Sequence, residues 1–166
     1  MYKDLLPLAR ETIRAHLAGH GLEPLPPRYP AQACFVSLKI GQRLRGCIGT
    51  IQPAKEHLEW EVQSNAIAAA NRDPRFQPVT PDELARIGIS VDVLSPVEPV
   101  THLAELDPLR YGLIVRAGRR CGVLLPDIAG VRGAAHQLEI CLEKGQIGPR
   151  ETYTMARFTV SRVQEP

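Results

Sequence analysis

Residues 31–51 read Ala-Gln-Ala-Cys-Phe-Val-Ser-Leu-Lys-Ile-Gly-Gln-Arg-Leu-Arg-Gly-Cys-Ile-Gly-Thr-Ile. Cys34, Val36, Leu38 and Ile40 alternate with Ala33, Phe35, Ser37 and Lys39, the period of a strand with one face toward a core. Gly41-Gln42 offers a tight turn, and Arg43 to Ile51 returns as a second strand. An unbroken pleat puts Leu44, Gly46 and Ile48 on one face and Arg45, Cys47, Gly49 and Ile51 on the other. Arg45 and Cys47 are then expected as same-face neighbours.

The flanks supply helices. Leu5, Leu8, Ala9, Thr12, Ile13, His16 and Leu17 recur at three- and four-residue steps, an amphipathic stripe that Gly19 and Gly21 end. Pro24 to Pro30 holds four prolines and reads as an extended, ordered connector. Pro53 can open a second helix, with Leu58, Val62, Asn65 or Ala66, Ala69 and Ala70 inward, stopped at Asp73-Pro74. Thr80 can cap a short helix holding Asp82, Glu83 and Leu84, and a strand follows at Ile87 to Leu94, closed by Pro96 and Pro99. A short helix is expected around His102 to Leu106. Tyr111 to Val115 and Cys121 to Leu125 form a hairpin about Gly118, and a helix marked by Ala135, Leu138, Cys141 and Leu142 ends with Gly145 as its cap. One last strand is expected from Tyr153 to Val163. Hairpins mixed with separated helices predict an α+β fold, antiparallel sheets flanked by helices, in one domain over residues 1–166 with room for a second lobe.

Twenty basic and eighteen acidic residues leave a formal charge of +2, so no strong field favours nucleic acid or an anionic membrane. Three phenylalanines without a stacking pattern argue the same way against nucleic acid. Cys34, Cys47, Cys121 and Cys141 are too dispersed for a zinc ribbon or a redox pair, so no metal site is expected. The start, Met1-Tyr2-Lys3-Asp4-Leu5-Leu6-Pro7, lacks the pattern of a secretory signal, and no apolar run approaches a membrane span. A cytoplasmic protein with reduced thiols is expected.

The chemistry concentrates in two segments. Gly46 and Gly49 in one strand mark a bulge or a close approach, and Arg45 near Cys47 favours a thiolate, the nucleophilic form. The alternative is a small core cysteine beside a surface arginine. In the second segment, Asn65 on an apolar helix face needs a partner if buried, either a ligand or a neighbouring loop. Asp73 and Arg75 straddle a rigid proline in a relation that suits a salt bridge or an anion-binding arginine. His16 and His20 lack a third ligand and a catalytic glutamate, whereas His57 follows Cys47 by ten residues and could reach it. The glycines near Gly112 and Gly118 have no phosphate-loop or dinucleotide spacing, so no cofactor is expected.

Leu44-Arg45-Gly46-Cys47-Ile48-Gly49-Thr50, Asn65 with its alanine run, and Asp73-Pro74-Arg75-Phe76-Gln77-Pro78-Val79 resemble the AMMECR domain family. So do Glu83-Leu84, Ile89-Ser90-Val91, Gly112-Leu113-Ile114-Val115, Gly122-Val123-Leu124-Leu125-Pro126, Gln137-Leu138 and Lys144-Gly145. The resemblance spans nearly the whole chain, departing at Gly145-Gln146, where the family has alanine-glycine. It implies an α+β fold with a larger and a smaller subdomain and a cleft between them. It also implies the AmmeMemoRadiSam system, an association with Memo-type and radical SAM proteins; the family's biochemical activity is not established. Two functions are carried forward. One is a cysteine-dependent enzyme or modification factor with Cys47 as the nucleophile, Arg45 and Arg75 on a small anionic molecule, Asn65 orienting it, and Gly46 and Asp73 also among the ligand-binding residues. The other is a non-catalytic adaptor that offers the same surface to a protein.

Overall fold

The computed structural model describes residues 1–22 and 25–166, so Pro24, the first proline of the expected connector, lies outside the described residues. The chain divides into two compact units, residues 1–94 with 161–166 and residues 95–160.

The first unit carries helix α1 (Leu5–Leu17), strands β1 (Cys34–Ile40) and β2 (Arg43–Gly49), and helix α2 (Leu58–Asn71). A one-turn helix α3 (Pro81–Leu84) and strand β3 (Ile87–Leu94) follow. The last strand, β8 (Val160–Gln164), returns to this sheet, whose order is β2-β1-β3-β8. Cys34, Val36 and Leu38 of β1 and Ile87, Ile89, Val91 and Val93 of β3 share a core with Leu5, Ala9 and Ile13 of α1 and Leu58, Val62 and Ala66 of α2. The period-two and helical stripes thus meet on one sheet face, where apolar burial drives the fold. Gly41, at φ +58, makes the β1–β2 turn.

The pleat of β2 is broken. Leu38 pairs with Gly46 but Lys39 pairs with Leu44, so Arg45 is an extra residue in the ladder, a β-bulge. Leu44 therefore shares a face with Cys47, and the expected same-face pairing of Arg45 with Cys47 is corrected. Pro53 does not open α2. The amides of Ala54 and Lys55 instead donate to the Glu61 carboxylate, both at 2.8 Å, and Thr50 Oγ1 donates to its other oxygen at 2.6 Å. These bonds hold residues 50–55 as a loop, and the helix begins at Leu58.

The second unit carries strands β4 (Glu98–Val100), β5 (Gly112–Ala117), β6 (Arg120–Leu124) and β7 (Thr154–Phe158), helix α4 (Ala134–Lys144) and a 3-10 turn at Leu103–Glu105. The sheet order is β4-β7-β5-β6, and α4 packs Cys141 and Leu142 into a core with Leu113, Val115 and Leu124. Strand β3 ends before Pro96, whereas Pro99 lies inside the separate strand β4, an edge position that tolerates a missing donor. The single strand expected at the C-terminus is two. At Thr159 the chain leaves one sheet for the other, and Ser95 holds the break, its amide donating to Thr159 O and its Oγ accepting from Thr159 N, each at 2.9 Å. Gly145 is the C-cap of α4, as expected, in an ordinary right-handed conformation; the left-handed residue is Gln146, at φ +53. Among the described residues no helix is long and apolar enough to cross a membrane.

Candidate functional site

The bulge decides what faces what. With Arg45 extruded, Cys47 sits opposite Ser37, and Ser37 is opposite Ser90 on β3, so a thiol and two hydroxyls form a row across three strands. Ser37 Oγ donates to Cys47 Sγ at 3.2 Å, and Ser37 is only 7% exposed. A hydroxyl proton aimed at sulfur favours the anionic form. Cys47 itself is half-buried. In the next row Phe35 lies over Gly49, where a Cβ would fall 2.2 Å from the ring.

The backbone of Cys47 is held from the free edge of the sheet. Its amide donates to Asp73 Oδ2 at 2.9 Å, and Arg75 Nη2 reaches its carbonyl at 3.4 Å, so a carboxylate and a guanidinium occupy the place of a neighbouring strand. Asp73 also accepts from Arg75 Nε, Nη2 and backbone N at 3.0, 2.7 and 3.1 Å. The Arg75 hydrogen bond holds the Asp73 carboxyl down at about 2, against burial, with backbone donation from Cys47 assisting. Arg75 is raised in turn, by Asp73 first and in smaller measure by the charge of Cys47. Its side chain is 55% exposed, and the guanidinium lies over the Phe76 ring at 5.4 Å from the centroid.

Arg45 is engaged elsewhere. Its Nε and Nη2 donate to both oxygens of Glu83, at 2.8 and 3.0 Å, and its Nη1 and Nη2 reach the carbonyls of Gln77 and Pro78. Arg45 thereby depresses Glu83 to about 2, with the Thr80 amide adding to the effect. The expected helix cap is present, since Glu83 and Thr80 complete a capping box. Asn65 is 4% exposed and donates its amide to Cys34 O at 2.9 Å and Cys34 Sγ at 3.4 Å. Its partner is thus strand β1 of its own fold, neither of the two expected, a ligand or a neighbouring loop. Gly46 packs on α2, where a Cβ would meet Ala69 O at 2.2 Å. His57 stacks edge-on against Trp60 at 4.7 Å, with its Nδ1 3.4 Å from Tyr29 O.

Cys47, Asp73 and Arg75 are thus joined directly, whereas Arg45, Gly46 and Asn65 hold the strand and helix around them. Burial pushes the thiols of Cys34 and Cys141 up to about 12. Ser37 and Glu61 also belong to this region, beyond the residues the sequence motifs point to. Ser37 is the one hydroxyl in an otherwise apolar and charged strand, and Glu61 is an acid next to Val62 on the buried stripe; each pattern is a usable signal. Among the described residues no group of three or more His, Cys, Asp or Glu could hold a metal ion.

A family model described as AMMECR1 matches residues 6–163. A Clostridium acetobutylicum protein is 46% identical over 165 residues, which are 95% of this chain but 35% of that protein. The chain thus spans about a third of that relative. A Thermotoga maritima protein is 52% identical over 130 residues, covering 77% of this chain and 75% of the relative. The crystal structure of an uncharacterized protein from Pyrococcus horikoshii superposes with a TM-score of 0.91 at 29% identity, covering 98% of this chain and 90% of the other.

Proposed function

The chain belongs to the AMMECR1 family, and on that premise we propose that Cys47 is a nucleophile for a small anionic molecule that Arg75 receives. The observation that carries the reading is the hydrogen bond from nearly buried Ser37 Oγ to Cys47 Sγ. A hydrogen bond of this kind lowers the energy of the thiolate, and the Arg75 guanidinium adds a favourable charge. Asp73 fixes the Cys47 amide and orients Arg75, leaving the outer guanidinium edge for a carboxylate or phosphate on the substrate. Arg45 and Asn65 hold the strand rather than the ligand in this reading.

The test is alkylation of the native protein with iodoacetamide across pH, read by mass spectrometry. Cys47 is expected to label ahead of Cys34, Cys121 and Cys141, with a midpoint below the ordinary thiol value of about 8.5. Ser37→Ala is expected to raise that midpoint. Labelling of Cys47 no faster than Cys121, or a midpoint indifferent to Ser37→Ala, sinks the reading.

A second reading, an adaptor without chemistry of its own, is favoured by the length of the Clostridium acetobutylicum relative, in which the matched region is joined to a longer chain. Memo-type and radical SAM proteins are the proposed partners. Co-purification that persists in Cys47→Ser, together with an unactivated thiol, decides for the adaptor.

A further inference from the structure

Helix α4 uses one stripe, including Gln137 and Cys141, to cover the second sheet. Beside that stripe lies a groove of about 540 Å³, whose accessible apolar lining is the half-buried Leu138 and Tyr153, over Leu142 and Ile147 of the core. Glu139 and Glu143 stand along its helical side, both exposed. The loop that brings Ile147 and Pro149 to the groove is held by hydrogen bonds of its own. Arg120 Nη1 donates to Gln146 O at 2.6 Å and its guanidinium pairs with Glu151, which also accepts from the Gly148 amide at 2.7 Å. Ile147 N closes onto Leu142 O at 2.9 Å. A groove held open by such bonds spends little free energy on ordering when something enters it.

The charges beside this groove are unequal in kind. Glu151 is matched by Arg120, whereas neither Glu139 nor Glu143 forms an ion pair among the described residues. The two are four residues apart on one helix, so their carboxylates are neighbours spaced like cations one turn apart on another helix. An apolar floor beside two unmatched carboxylates calls for an apolar ligand with cationic flanks. We propose that this groove docks an amphipathic helix of a partner polypeptide, its leucine-like side chains on Leu138 and Tyr153 and its lysines or arginines on Glu139 and Glu143. A simple cation would leave the floor unused, and a neutral apolar ligand would leave the carboxylates unmatched. The site lies wholly in the second unit and is independent of Cys47.

The test uses isotope-labelled protein and two short amphipathic probe peptides, one of leucine and lysine and its leucine and glutamate counterpart. The lysine peptide is expected to perturb amide resonances of α4 and of residues 147–153. Glu139→Gln with Glu143→Gln is expected to weaken it on the order of three- to tenfold, the worth of two exposed ion pairs, with an unchanged thermal midpoint. Glu139→Lys with Glu143→Lys is expected to transfer the preference to the glutamate peptide. Perturbations centred elsewhere, none at all, equal binding of both peptides, or affinity unmoved in the double variants would each overturn the proposal.

Discussion

Replacing Asp73 with asparagine removes the charge that joins the Cys47 backbone to Arg75 while keeping the size of the side chain. Asp73 accepts four hydrogen bonds, and its side chain is 2% exposed. Its carboxyl titrates at about 2 in the folded protein against an ordinary value of 3.8. That difference corresponds to roughly 2–3 kcal/mol of stabilisation by the ionised form. Because the folded value is depressed, the contribution is complete above the unfolded value and is lost as pH falls toward the folded one. Trp60, the chain's single tryptophan, lies on α2 in the same unit, so its fluorescence during urea unfolding reports the right part of the molecule. Asp73→Asn is expected to be about 2–3 kcal/mol less stable at pH 7, with the gap narrowing below about pH 4 and nearly closed at pH 2. Glu83, which titrates at about 2 as well, is common to both proteins and cancels in the difference. A gap that stays the same from pH 7 to pH 2, or one below about 0.5 kcal/mol throughout, would refute the electrostatic account.

Gly46→Val is expected to cost about 3 kcal/mol or more, since even its Cβ would lie 2.2 Å from a backbone carbonyl on α2. Gly88→Ala is the control, its Cβ meeting nothing closer than 4.0 Å, and equal unfolding midpoints for the two variants would discount the close approach. Gln146→Gly is expected to stabilise the protein by about 0.5–1 kcal/mol, because φ +53 is strained for glutamine and free for glycine. A thermal midpoint that falls in that variant would discount the strain.

The elements most legible in the sequence are those whose signal is local. The stripe from Leu5, the cap from Thr80 to Glu83 and the run from Ile87 to Leu94 each appear where periodicity and capping chemistry place them. What the sequence hid depends on distant partners. Pro53 is a good first residue for a helix, yet the Glu61 carboxylate captures the amides of Ala54 and Lys55 and keeps that segment irregular. The run from Tyr153 to Val163 has unbroken strand character, and only the exchange of hydrogen bonds between Ser95 and Thr159 divides it between two sheets. Gly145 caps α4 as its sequence position suggests, but the left-handed turn is taken by Gln146; Gly145 itself serves close packing, since a Cβ there would meet Gly122 N at 2.8 Å.

The bulge at Arg45 is the point where hidden register becomes chemistry. A regular hairpin closed by Gly41-Gln42 pairs Ile40 with Arg43 and Lys39 with Leu44, and would continue with Leu38 opposite Arg45 and Ser37 opposite Gly46. Cys47 would then have no hydroxyl across from it, and a charged guanidinium would lie on the face that α2 covers. Two forces displace the register by one residue. Glu83 and the carbonyls of Gln77 and Pro78 draw Arg45 out of the ladder, and the slim helix around Ala69 accepts only a glycine beneath it. Gly46 moves opposite Leu38 and Cys47 moves opposite Ser37. Arg45 therefore acts on the thiol through geometry: it sets which hydroxyl the sulfur meets, while the charge beside the strand comes from Arg75.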